Sequence, residues 1–431
     1  MQNRVIKNTS WIVGCRIVQA LLNLVISMFS ARYLGPSNYG LITYAASITA
    51  FMLPVMQLGL RSTLVQEFIE HPKKEGETLG TAITMNIVSS LLCIVGITAF
   101  TMIANSDEPE TIIVCALYSI NLIFQAFEMI QYWFQAKLLS KYTSITMLFS
   151  YIVVSAYKIY LLVAGKNVYW FAVSQAIDYA LISVALFVIY KKLHGQKFSF
   201  SFKRSVEMLK KSRYYIVSSM MVTIFAQTDK IMLKFMGNNE SVGQYAAAVT
   251  CAGVTSFVFT AIIDSFRPVI LESKQKSQDK YDESVSVLSS VIIYLSLMQC
   301  VAMTVFSGLI VHILYGSDYA QSADILKVLV WYTTFSYMGP VRNIWILAEH
   351  KHKYLWVINL CGAVGNIILN LILIPLWGVM GAATASLITQ FFTNFVIGFI
   401  ISPIRGFNRL MLNGLNPKFA YMEVKKLCKR R

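Results

Sequence analysis

Twelve apolar stretches, each about as long as the roughly 20 residues a helix needs to cross a bilayer, follow one another from Trp11 to about Ile401. Almost no chain is left between them for a water-soluble domain. Backbone groups in hydrocarbon must be satisfied within the segment itself, so the expected fold is an all-α integral membrane protein of about twelve transmembrane helices. Composition points the same way. Charged residues make up 13% of the chain, where a soluble domain carries about 25%, and the mean hydropathy is +0.58.

The expected spans are 10–31, 40–60, 79–104, 111–134, 144–164, 168–190, 214–236, 244–266, 286–313, 323–347, 354–375 and 379–401. Arg4 and Lys7 precede the first, which runs to about Ser30 without a small-residue cleavage site and is read as an uncleaved span. With the N-terminus inside, 29 of the 37 Lys and Arg fall on cytoplasmic segments and only Arg32, Lys166 and Lys234 on outer loops. Both termini are therefore expected in the cytoplasm, and the net charge of +16 sets topology and needs no nucleic-acid partner. The seven cysteines have no CxxC or metal spacing and read as small buried hydrophobes; the five histidines have none either, and no metal or other cofactor is expected.

A basic stretch from about Tyr190 to Arg213 with eight Lys or Arg divides the chain, giving a six-helix lobe at 1–195, a linker at 196–213, a second six-helix lobe at 214–401 and a basic tail at 402–431. The lobes look like repeats. ARYLGPSNYGLITYAAS after span one has a counterpart in LKFMGNNESVGQYAAAVT after span seven, each read as a short Gly-containing outer loop leading into a helix. Tyr39 precedes Arg61 by 22 residues, and Tyr245 precedes Arg267 by 22. Six spans per half make the repeats parallel, with the substrate path expected between them and transport expected to proceed by rocking of one lobe against the other.

Polar stripes at helical spacing mark the faces that would line that path. Span one carries Arg16, Gln19, Asn23, Ser27 and Ser30; span two, Gln57 and Arg61; span four, Asn121, Gln125, Glu128, Gln131 and Gln135. Span seven carries Ser219, Thr223, Gln227 and Lys230, and span eight Ser256, Thr260, Asp264 and Arg267. Shorter stripes in spans five, eleven and twelve are equally explained by interhelical hydrogen bonds. A charge at mid-bilayer costs about 2.5 to 3.5 kcal/mol and persists only if paired or wet. Arg16, Lys158 and Arg342 have no acid within a turn on their own helices and are the best candidates, with Lys230, for cations facing one cavity. Asp178 and Asp229 are further intramembrane charges, and Asp264 and Arg267, three residues apart, could pair. Buried cations suit an anionic cargo such as a pyrophosphate or acidic sugar, and Trp133, Tyr157, Trp331, Tyr332 and Tyr337 could stack on sugar rings.

The opening ARYLGPSNYG and LGLRSTLVQE, the TDKIML run followed by VGQYAAA, and the late AEHKHKYLWVINLCGAVGNIILNLILIPLWGVMGAATA together resemble the polysaccharide transporters of the multidrug/oligosaccharidyl-lipid/polysaccharide exporter superfamily, nearest the Wzx-type O-antigen or capsule-repeat flippases. The resemblance spans nearly the whole chain. It implies two pseudo-symmetric lobes of the kind found in MATE exporters, alternating access, and an undecaprenyl-pyrophosphate-linked oligosaccharide moved to the outer leaflet of a bacterial inner membrane. It maps the family's acid-then-base pair in span seven onto Asp229 and Lys230. Membrane lipids, a polysaccharide polymerase and a chain-length regulator are the implied partners, and a proton or sodium gradient the implied drive. A cation-coupled drug exporter of the same superfamily is the first alternative, although its cavity should be acidic. An enzyme acting on lipid-linked sugars is the second, although the longest outer loop is only about a dozen residues.

Overall fold

The computed structural model describes residues 2–416, with the side chains of 14, 15 and 18–416 among them. Every regular element among the described residues is helical. The chain forms two compact units, Met1–Ile231 and Met232–Arg431.

The first unit opens with α1, Gln2–Met56. The outer loop expected between spans one and two is absent. A single residue, Gly35 at φ 69° and ψ 170°, breaks the helix. Only glycine takes that conformation without strain, and Pro36, with its φ already helical and no N–H to satisfy, starts the second arm. There follow α2 (Leu64–Glu70), α3 (Glu75–Ala104), α4 (Pro109–Ser119), α5 (Asn121–Gln125), α6 (Ile130–Ala136), α7 (Ser140–Val163), α8 (Val168–Lys192) and α9 (Phe202–Met236). Span four is thus three short α-helices joined through a 3-10 turn at Ala126–Met129. Leu64, Phe68, Leu79, Trp133, Tyr190 and Met208 pack into one apolar core that ties α2, α3, α6, α8 and α9 together.

In the second unit α10 (Asn239–Gly253) and α11 (Ser256–Lys276) meet at a bend of 43°. After them come α12 (Gln278–Val305), α13 (Ser307–Tyr315), α14 (Ala320–Ala348), α15 (Leu355–Trp377), α16 (Val379–Phe391), a π turn, α17 (Ile397–Ile400) and α18 (Arg405–Gly414). The first part of the basic tail is α18, whose Phe407 and Met411 are buried in the core with Leu288 and Trp345. Residues 417–431, with Cys428 and the rest of the tail, lie outside the described residues, as do the side chains of Arg4, Lys7 and Arg16.

Among the described residues nine helices are long and apolar enough to cross a membrane, and ten if the bent pair α10 and α11 is one span. The first of these, Val18–Met56, holds both arms of α1 and so two expected spans, while the 29-residue α14 occupies the tenth. Each of the twelve apolar stretches therefore coincides with helix. Leu92, Val95 and Ile103 of α3 are 69%, 67% and 83% exposed, a surface stable only against hydrocarbon. This is a multi-pass membrane protein.

The last two-thirds of the expected linker, residues 202–213, is not a connection but the first turns of α9. The stretch before it is held against α3: Ser199 N donates to Gly76 O at 3.3 Å, Gly76 N to Gln196 Oε1 at 3.0 Å, and Ser201 N to Thr81 Oγ1 at 3.1 Å.

Candidate functional site

Inside the first unit lies a cavity of about 400 Å³, within the range of small-ligand sites. The break at Gly35 is what makes it possible, because both arms of α1 contribute a wall. Asn23, Ser27 and Ser30 come from the first arm, and Tyr39, Thr43 and Ser47 from the second. The arms are joined by a 3.0 Å hydrogen bond between the hydroxyls of Ser27 and Tyr39. Tyr118 of α4, Lys158 of α7, Ser174 and Gln175 of α8, and Gln227 and Lys230 of α9 complete the polar lining.

Two lysines give the cavity its sign. Lys158, half-buried, makes no hydrogen bond or ion pair among the described residues, although Asp178 is within electrostatic reach. Lys230 spends one long contact of 3.4 Å on Gln227 Oε1, a residue on its own helix. An ammonium has three donors, so most of this capacity points at the cavity. Asp178 Oδ1 accepts from Ser150 Oγ at 2.7 Å, and Asp229 is within electrostatic reach of Lys230. Asn23 is oriented by Tyr151, whose hydroxyl donates to its Oδ1 at 2.9 Å. The result is a site with donors from two cations and hydroxyl and amide groups around them, suited to a group that is anionic and rich in oxygen.

The remaining sequence candidates are placed as follows. Arg16 lies on α1 with its side chain outside the described residues, and Gln19, half-buried, is not among the lining residues. Asn121 and Gln125 are buried, Gln125 Nε2 donating to Asn121 Oδ1 at 2.8 Å, and neither is among the cavity's lining residues. Glu128 sits in the 3-10 turn, with the exposed Arg61 and Asp178 within electrostatic reach. Asp229 is buried and does not line the cavity. In the second unit Asp264 and Arg267 pair at 3.3 Å while 59% and 52% exposed, as their spacing allowed. Arg342 is buried and Nη1 donates to the carbonyl of Thr393 at 2.6 Å.

Two of the aromatics read as sugar platforms are otherwise occupied. Trp133 is buried, its indole N–H donating to Glu75 Oε2 at 2.7 Å, and Tyr337 stacks on Phe259 at 4.0 Å. The reading of individual stripes missed Tyr39, Thr43, Ser47, Ser174 and Gln175. The signal was present for the first three, which recur at intervals of four along the second arm, a pattern hidden by how common hydroxyl residues are in membrane helices.

The structure is that of an all-α, multi-pass membrane protein with a polar cavity in its first unit. Over 94% of its length the chain superposes on 90% of the lipid II flippase MurJ in an inward closed conformation, with a TM-score of 0.69 and 16% identity. It covers 95% of an inward-facing MATE-family multidrug resistance transporter of the MOP superfamily, with 91% of its own length, a TM-score of 0.66 and 13% identity. At such identities the likeness is one of fold. The family follows from sequence: residues 5–274 match the polysaccharide biosynthesis protein family, and the chain belongs to it. A probable low-salt glycan biosynthesis flippase of Haloferax volcanii is 24% identical over 189 residues, 43% of this chain and 40% of that protein. The chain aligns with less than half the length of the curated relatives it matches.

Proposed function

We propose that this protein is a flippase that carries a lipid-linked oligosaccharide across the membrane by alternating access, with the anionic and hydroxyl-bearing head of the cargo held in the cavity of the first unit. The observation that carries the reading is Lys158 and Lys230 facing one polar cavity without an ion pair among the described residues. Membership of the polysaccharide biosynthesis family and the likeness to a glycan flippase support it. The cargo in this reading is an undecaprenyl-pyrophosphate-linked repeat unit for O-antigen or capsule, taken from the cytoplasmic to the outer leaflet of a bacterial inner membrane. Both chain termini are then cytoplasmic, a proton or sodium gradient supplies the drive, and a polymerase and chain-length regulator receive the product.

Electrostatics favour this over export of cationic drugs. A cation about 5 Å from one ammonium, at an effective dielectric near 20, is repelled by about 3 kcal/mol, and two ammoniums face the same space. The test is deletion of the gene in its own host. The expected result is loss of surface glycan with lipid-linked precursor accumulating in the membrane and drug susceptibility unchanged. Intact glycan with increased susceptibility to cationic drugs would replace this reading with the exporter.

A further inference from the structure

Glu67 of α2 is 3% exposed and is not among the residues that line the cavity. Both of its oxygens are taken by α9: Oε1 by Lys211 Nζ at 2.5 Å, and Oε2 by Arg204 Nη2 at 2.8 Å. Residues seven apart on a helix return to nearly the same face two turns on. One carboxylate therefore grips α9 at two heights on one face, which fixes both its rotation and its axial position. Other contacts hold the same register. Arg204 Nη2 also donates to Thr78 Oγ1 at 3.2 Å, and Ser212 Oγ donates to Leu58 O at 2.7 Å. A Cβ on Gly59 would stand 2.6 Å from Ser212 O, so the two backbones are in contact there.

From Arg204 to Lys230 the helix has no glycine, no proline and no break. It is a rod of about 39 Å at 1.5 Å per residue, and its far part carries Gln227 and Lys230 into the cavity. A rotation of one residue, about 100°, would turn Lys230 out of it. We propose that Glu67 is a positioning residue: by clamping Arg204 and Lys211 it sets the register of α9 and thereby the place of Gln227 and Lys230. The functional weight of the inference rests on the cavity holding cargo; the register claim does not.

Glu75 supplies the control. It is 4% exposed, ion-paired to Lys137 at 2.5 Å and bonded to Trp133, and it ties α3 to the end of span four with no hydrogen bond or ion pair to α9 among the described residues. In the full-length chain lacking its seven native cysteines, a reporter cysteine replaces Thr223, one turn before Gln227 on the same stripe. Its labelling by a membrane-impermeant maleimide is followed in liposomes without cargo, so the readout is independent of the proposed substrate. Glu67→Gln is expected to change the labelling rate at least threefold, Glu67→Asp less, and Glu75→Gln not at all, even if it lowers thermal stability. Lys211→Gln, at a side chain 52% exposed, is expected to shift the rate in the direction of Glu67→Gln and decides the matter if Glu67→Gln fails to accumulate. Wild-type labelling in the Glu67 and Lys211 variants, or an equal change in Glu75→Gln, overturns the proposal.

Discussion

A lysine within a membrane protein keeps its charge only where water, an acid or a ligand repays its desolvation. Lys158 and Lys230 were legible in the sequence for that reason, since each lies on a stripe without an obvious acid to cancel it. Asn121 and Gln125 show where such reasoning stops: residues four apart on one face line a cavity or bond to each other with the same spacing, and here they bond to each other. Glu67 and Glu75 were invisible because their partners, Arg204 and Lys137, are 137 and 62 positions away in the chain. A hydrogen bond to a charged group is worth about 1.5 to 3 kcal/mol, roughly a factor of ten to a hundred in binding. Lys158→Gln and Lys230→Gln are therefore each expected to reduce glycan transport at least tenfold at normal protein level, with Lys→Arg retaining more. Surface glycan quantified against membrane-inserted protein measures this. Near-normal transport by both Gln variants would remove the lysines from cargo recognition.

Among the elements, the spans were readable because a bilayer imposes length and apolarity, whereas the elements at the membrane's edge were not. The first turns of α9 read FKRSVEMLKKSR, too charged for a hydropathy reading to join them to the span, so the helix was expected to begin at 214. Its true start at Phe202 follows from partners on α2 and α3. The same is true of α18, an amphipathic ten-residue helix that owes its place to burial against the second unit's core. The docking of the linker on α3 depends on close backbone approach. A Cβ at Gly76 would lie 2.3 Å from Lys197 O, and one at Gly80 2.5 Å from Ser199 O, while Gly96 of the same helix has nothing within 4 Å. Overpacking of this kind costs about 1 to 3 kcal/mol. Gly76→Ala and Gly80→Ala should each lower the thermal unfolding midpoint in detergent by several degrees, and Gly96→Ala should leave it unchanged or raise it. Equal midpoints for all three would show that the linker yields freely.

At the scale of the whole molecule, the count of apolar stretches carried the architecture, and the described helices fall where those stretches lie. What the sequence left open was the cavity, because its walls come from α1, α4, α7, α8 and α9, five elements whose mutual approach no single stripe specifies. The proposed passage of an anionic, sugar-bearing lipid head through a membrane rests on a cavity of this composition. The direct measurement is reconstitution of the purified protein in liposomes carrying an undecaprenyl-pyrophosphate-linked oligosaccharide, with an added glycan-cleaving enzyme reporting which leaflet holds the sugar. Starting from lipid placed in the inner leaflet, wild-type protein should bring the sugar within reach of the outside enzyme, and the Lys158→Gln, Lys230→Gln double variant should not. Sugar that stays protected with active wild-type protein, under an imposed proton or sodium gradient as well as without one, would contradict the account.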